Sequence, residues 1–101
     1  MNRARQTVSL MQASQANPGL ARLMDLQRES TQRLKAITEL IPHNLRACVQ
    51  AGPLDEGKWC LLLTNTTTAA KLRQLLPAFE AQLRVAGLEV KEIRLKVQRV
   101  S

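Results

Sequence analysis

From Thr66 to Ala86 the apolar positions recur at intervals of three and four. Leu72, Leu75, Leu76, Phe79, Leu83 and Ala86 therefore lie along one stripe of a helix. Pro77 falls inside this stretch and removes one backbone hydrogen bond, yet the stripe continues in phase across it, which predicts one bent helix. Gly87 stops the helix. Beyond it the period changes to two, with Ile93, Leu95 and Val97 alternating against Arg94, Lys96 and Gln98, the pattern of a half-buried strand. A helix and a strand joined this closely are expected to share one core.

Upstream, Asn17-Pro18-Gly19 has the form of a helix start. Asn17 is placed to cap, and Pro18 stands at the first helical position, where its missing N–H costs nothing. Leu20, Leu23, Met24, Leu34, Ile37, Leu40 and Ile41 supply the apolar face, and Pro42 ends it. Gln27, Ser30 and Thr31 interrupt that face, so the pattern fits one helix or two. Charges of alternating sign, from Arg22 to Glu39, mark either a solvated face or a docking surface. Leu45 to Ala51 alternates as a strand, with Ala47, Val49 and Ala51 on one side, and Gly52-Pro53 is expected to end it.

An Asp55-Glu56-Gly57 turn then leads into Lys58–Thr64, the second strand of a hairpin. Trp59, Leu61 and Leu63 would face the core. Cys60 and Leu62 would lie on the opposite face, beside Arg94 and Lys96 if the third strand pairs with the second. The hydroxyl and amide groups of Thr64 to Thr68 are placed to cap the following helix or to bind a phosphate. The sum is an α+β two-layer domain in the order α-β-β-α-β, a three-stranded sheet with helices on one face, over residues 18–101. Residues 1–17, polar apart from points such as Val8, Leu10 and Met11, are expected to form a flexible N-terminal segment.

Composition narrows the function. A chain of 101 residues, 45% hydrophobic, makes one domain. Its two aromatic residues, Trp59 and Phe79, are too few for a stacking platform for single-stranded bases. The net charge of +7 favours polyanions without choosing among nucleic acid, anionic membrane and acidic protein. Seven of the basic residues, Lys71, Arg73, Arg84, Lys91, Arg94, Lys96 and Arg99, fall in the C-terminal third. The pattern holds no nucleophile with its base, and the Asp55-Glu56 pair is explained by turn chemistry, so no enzymatic role and no cofactor are expected. His43, Cys48 and Cys60 are too scattered to make a metal-ligand set. Without a secretory signal or a membrane span, a cytoplasmic location with two unpaired thiols is expected. The Asn65-Thr66-Thr67 sequon has no use in that setting.

Certain residues carry a family pattern. They are Leu40-Ile41-Pro42 with Leu45, the Gly57 turn with Leu61-Leu62-Leu63, the run Ala69-Ala70-Lys71-Leu72-Arg73-Gln74-Leu75-Leu76-Pro77, then Leu83-Arg84 and Val90, Ile93, Leu95 and Val97. Over residues 20–100 the chain resembles the DciA family, bacterial factors that assist loading of the replicative helicase DnaB. The resemblance implies a KH-like domain, affinity for single-stranded or forked DNA, and a DnaB-type helicase as partner. On this reading the seven basic residues contact DNA, and Cys60 and Leu62 form a partner-binding spot. Family members tend to carry a basic tail after the last strand, and a helicase grip by such a tail is not expected of a sequence ending at Ser101. The Gly-x-x-Gly clamp of true KH domains is absent. A stand-alone KH-like module that binds RNA or DNA without helicase contact is the other reading.

Overall fold

Helix α1 spans Pro18–Ile37, and the elements after it are β1 (Val49–Asp55), β2 (Lys58–Leu63), α2 (Thr66–Val85) and β3 (Glu92–Val97). The structure is a computed structural model, and it describes residues 18–98. The expected flexible segment, the Asn17 cap and the proposed contact at Arg99 lie outside them. The α-β-β-α-β order is as the sequence predicts. The sheet runs β1-β2-β3, with β1 antiparallel and β3 parallel to the central β2.

Both helices pack on the face from which Trp59, Leu61 and Leu63 project, and these three are essentially inaccessible. From α2 come Ala69, Leu72, Phe79 and Leu83, from β3 Ile93, and from α1 and its extension Ile37 and Ile41. Leu75 and Leu76 flank this core half-buried, whereas Ala86, placed on the stripe by its spacing, is exposed. Helix α2 is unbroken through Pro77, whose side chain lies at the surface.

The ends of α2 are set by its sequence. Asn65 stands in extended geometry as the N-cap, and its Oδ1 accepts from the Thr68 N–H at 2.7 Å. At the other end Gly87 takes a φ of 74°, which lets its N–H reach the Arg84 carbonyl at 3.2 Å and the Leu88 N–H reach the Leu83 carbonyl at 2.8 Å. This is the paired closure of a Schellman motif, and it turns the chain back toward the sheet. Asn65→Ala is expected to lower stability by about 1 kcal/mol. In a domain of this size that amounts to roughly 4–8 °C in the thermal midpoint, while Asn65→Asp, which keeps the acceptor, holds it.

Two expectations are corrected. Residues 45–48 are not strand. His43–Cys48 forms a 3-10 turn, held by the Leu45 N–H on the Pro42 carbonyl at 2.8 Å and by Arg46 Nε on the Ile41 carbonyl at 3.0 Å. Strand β1 starts at Val49 and runs through Gly52-Pro53. Its register with β2 slips between Ala51 and Leu54, so that a bulge absorbs one residue. Because β1 is an edge strand, the missing N–H of Pro53 leaves no central ladder incomplete.

The apolar face of the first helix is also narrower than its spacing suggests. Leu23, Met24 and Leu40 are exposed, and Ile37 and Ser30 are its buried positions. The helix gives way to a 3-10 turn at Thr38–Leu40 before Pro42. The polar interruption does not split it. The Ser30 hydroxyl donates to the Gly52 carbonyl at 2.6 Å and accepts from Trp59 Nε1 at 2.8 Å, so a buried serine ties α1 to two strands. Among the described residues, no helix is long and apolar enough to cross a membrane.

Candidate nucleic-acid interface

Strands β2 and β3 are parallel and in register, which places Lys58 beside Glu92, Cys60 beside Arg94 and Leu62 beside Lys96. With Trp59, Leu61 and Leu63 taken by the core, strict alternation sends these six side chains to the face away from the helices. Across β1, Gln50 adjoins Leu62 and Asp55 adjoins Lys58. The charged members are exposed, while Cys60 and Leu62 are half-buried. The proposed apolar spot and two of the proposed cations thus come together as the alternation predicts. Lys58 joins them, a cation that the same alternation would have supplied.

Charge on this face is uneven along the strands. The acids, Asp55 and Glu92, sit at the end nearest the hairpin turn, and Arg94 Nε lies 3.1 Å from Glu92 Oε2. Toward the other end the face carries Gln50, Leu62 and Lys96 with no carboxylate in register. There β2 and β3 finish together, the Gln98 N–H donating to the Leu63 carbonyl at 2.7 Å, and α2 begins just beyond. The positive end of the sheet is therefore the end at which α2 presents its N-terminus, itself favourable to anions.

The remaining cations are not gathered onto that face. Lys71 and Arg73 are two residues apart on α2, so at about 100° per residue they diverge onto opposite flanks. Arg84 lies toward the far end of α2 and is paired with Glu89 at 3.3 Å. Lys91 lies across the hairpin turn, its N–H on the Gly57 carbonyl at 2.7 Å and its side chain over the Gly57 Cα. The turn takes left-handed geometry at both Glu56 and Gly57, as a two-residue hairpin of type I′ requires, so Asp55-Glu56 serves the turn.

Leu62 also reaches over the β1 bulge toward α1. With Leu23, Leu26, Pro53 and Leu54 it lines an open apolar cleft of about 450 Å³, which nothing in the spacing of these residues announces. Spacing also passes over the cluster at the head of α2, where Asn65 Nδ2 lies 3.8 Å from Cys48 Sγ. The Cys48 thiol is held below its ordinary range by hydrogen bonding, the Thr64 side chain contributing most and Thr68 next. Partial burial pushes the other way, and Asn65 adds a smaller downward effect. No group of three His, Cys, Asp or Glu among the described residues stands ready to hold a metal ion. No protein-family model matches the chain, and no curated protein matches it.

Proposed function

We propose that this domain is a non-enzymatic DNA-replication factor of the DciA kind, which holds single-stranded or forked DNA and assists the placement of a DnaB-type helicase. The reading rests on the sheet face that neither helix covers among the described residues, where Lys58, Arg94 and Lys96 stand around the half-buried Cys60 and Leu62. Such a face offers point charges to phosphates and a small apolar patch to bases or to a partner, and it carries no rings for stacking. Binding is therefore sequence-tolerant and dominated by counterion release. The half of the face near Lys96, free of carboxylates, takes the phosphates. The half near the hairpin turn, where Arg94 is neutralised by Glu92, contributes less.

Affinity for a single-stranded oligonucleotide is expected to fall linearly on a log–log plot against salt, with a slope near −0.7 per phosphate engaged. Lys96→Ala flattens that slope by roughly 0.7, the contribution of one phosphate, and Lys58→Ala, in the half shared with Asp55 and Glu92, flattens it by less. Unchanged affinity after Arg94→Glu with Lys96→Glu would remove the sheet face as the binding surface. The helicase half of the reading is tested separately, by co-elution with the DnaB-type helicase of the same organism on a sizing column with light scattering, with and without forked DNA. DNA binding without co-elution would leave the stand-alone KH-like module.

A further inference from the structure

The two edges of the sheet are not alike. Strand β1 carries Gly52-Pro53 and a bulge, and α1 packs along it, features that blunt an edge against further pairing. Strand β3 has no proline, glycine or bulge, and no described strand pairs with its outer side. The Glu92 N–H is turned to the Gly57 carbonyl and the Gln98 N–H to the Leu63 carbonyl, both on the β2 side. Backbone direction alternates along a strand, so Arg94 and Lys96 also bond inward, while the N–H and C=O groups of Ile93, Leu95 and Val97 point outward. That outward row is a template for one more strand.

Side chains set what the row accepts. On the open face β3 presents Glu92, Arg94 and Lys96, all exposed, and on the helix face Ile93, Leu95 and Val97, the last two half-buried. A second β3, antiparallel about a two-fold axis through Arg94, sets Glu92 opposite Lys96 of the second copy, and Lys96 opposite its Glu92. The same register sets Ile93 against Leu95 twice, and each of those pairs joins outward-facing backbone groups, as a hydrogen-bonded antiparallel pair requires. Other registers fit worse. An axis between two residues would oppose inward with outward groups, an axis at Leu95 would oppose Arg94 and Lys96, and an axis at Ile93 would oppose Leu95 and Lys91. The like-charged contact in the favoured register is Arg94 on the axis, and each Arg94 has its own Glu92 at 3.1 Å.

We propose that the outer edge of β3 binds a second copy of this chain, joining two three-stranded sheets into one of six strands whose register is fixed by Glu92 and Lys96. Pairing sets a carboxylate against Lys96, so on the DNA-binding reading above a second copy and a phosphate compete for that side chain. The pairing itself does not rest on that reading, and it is tested without nucleic acid.

The test is light scattering of the full chain on a sizing column over a range of concentrations at low salt. The mass is expected to rise toward that of two chains. Glu92→Lys sets lysine against lysine, and because the change enters the interface twice it weakens association by about tenfold or more. Glu92→Lys with Lys96→Glu restores association, since the pairs are exchanged and not lost. Both positions are exposed, so circular dichroism should find the fold unchanged in either variant. Amide exchange gives a second reading, in which protection of Ile93, Leu95 and Val97 grows with concentration while Arg94 and Lys96 are protected throughout. A chain that stays monomeric into the millimolar range overturns the proposal, as does a dimer indifferent to Glu92→Lys or not recovered by the exchanged pair. Protection of Ile93, Leu95 and Val97 in a monomer would assign the edge to another part of the chain, and overturns it equally.

Discussion

Trp59→Ala is expected to remove about 3–5 kcal/mol of stability, the usual consequence of truncating a fully buried tryptophan. A domain of this size has on the order of 5–15 kcal/mol in total, so the variant is expected to be partly unfolded at room temperature or to melt well below the parent. The indole is the largest side chain in the core, and it lies on the central strand between β1 and β3. Its loss opens a cavity that neither neighbouring strand can close without breaking its register with β2. Trp59→Phe separates this packing from the hydrogen bond to Ser30, since the smaller ring occupies much of the space but carries no N–H, and about 1 kcal/mol is expected for the bond. Urea unfolding followed by circular dichroism measures both variants, because the chain has no other tryptophan to report by fluorescence. A loss below about 1 kcal/mol for Trp59→Ala would mean that the core is not centred on β2.

Gly52→Ala is the second large effect, and its cause is contact, not backbone conformation. A Cβ at this position would stand 2.7 Å from the Cys60 carbonyl oxygen and 3.0 Å from Leu62 Cγ. The first is backbone of the central strand and cannot turn aside, so β1 must lift from β2 at the bulge. That movement also draws the Gly52 carbonyl away from Ser30. Overpacking of this kind costs about 1–3 kcal/mol, and the loss of the buried hydrogen bond adds to it. Gly87→Ala is the control. There a Cβ meets nothing within 4 Å, and only the positive φ is at stake, worth roughly 1–2 kcal/mol. Thermal melts of the two variants should rank Gly52→Ala as the more damaging. Because Leu62 must also shift, Gly52→Ala is further expected to weaken oligonucleotide binding, which Gly87→Ala leaves intact.

The two variants fall on either side of what the sequence discloses. Helix α2 and strand β3 are legible because each buries one face, and a residue pattern of period 3.6 or 2 records that burial directly. Strand β1 is not, because Gly-Pro is ordinarily a stop. Its passage through a bulge depends on β1 lying at the sheet edge, which is a fact about neighbours. Ser30 reads as a gap in an apolar stripe, and its partners, Gly52 and Trp59, are remote in the sequence. A polar side chain satisfied by distant groups looks the same, locally, as one that interrupts a helix.

The candidate site divides in the same way. Cys60, Leu62, Arg94 and Lys96 share a face because strand alternation fixes direction, and the parallel register brings them side by side. The basic count of the C-terminal third carries no direction. Lys71 and Arg73 therefore separate around α2, and Arg84 is turned to Glu89. The Cys48 cluster assembles residues from a turn, a loop and a helix start, which no periodicity connects.

The mixed sheet has a consequence for the order in which the protein is made. Strands β1 and β2 are joined by a two-residue turn, so their pairing closes a loop of nearly minimal entropy. Strand β3 meets β2 only after the chain has travelled the length of α2 and reversed through the Schellman turn, because parallel neighbours require a crossover. Hairpin and helix thus offer early, local contacts, and the β2–β3 ladder comes late, stitched at its two ends by Lys91 on Gly57 and Gln98 on Leu63. The face that gathers Cys60, Leu62, Arg94 and Lys96 does not exist until that last ladder has zipped. A nascent chain acquires this face as its final act of folding, not its first.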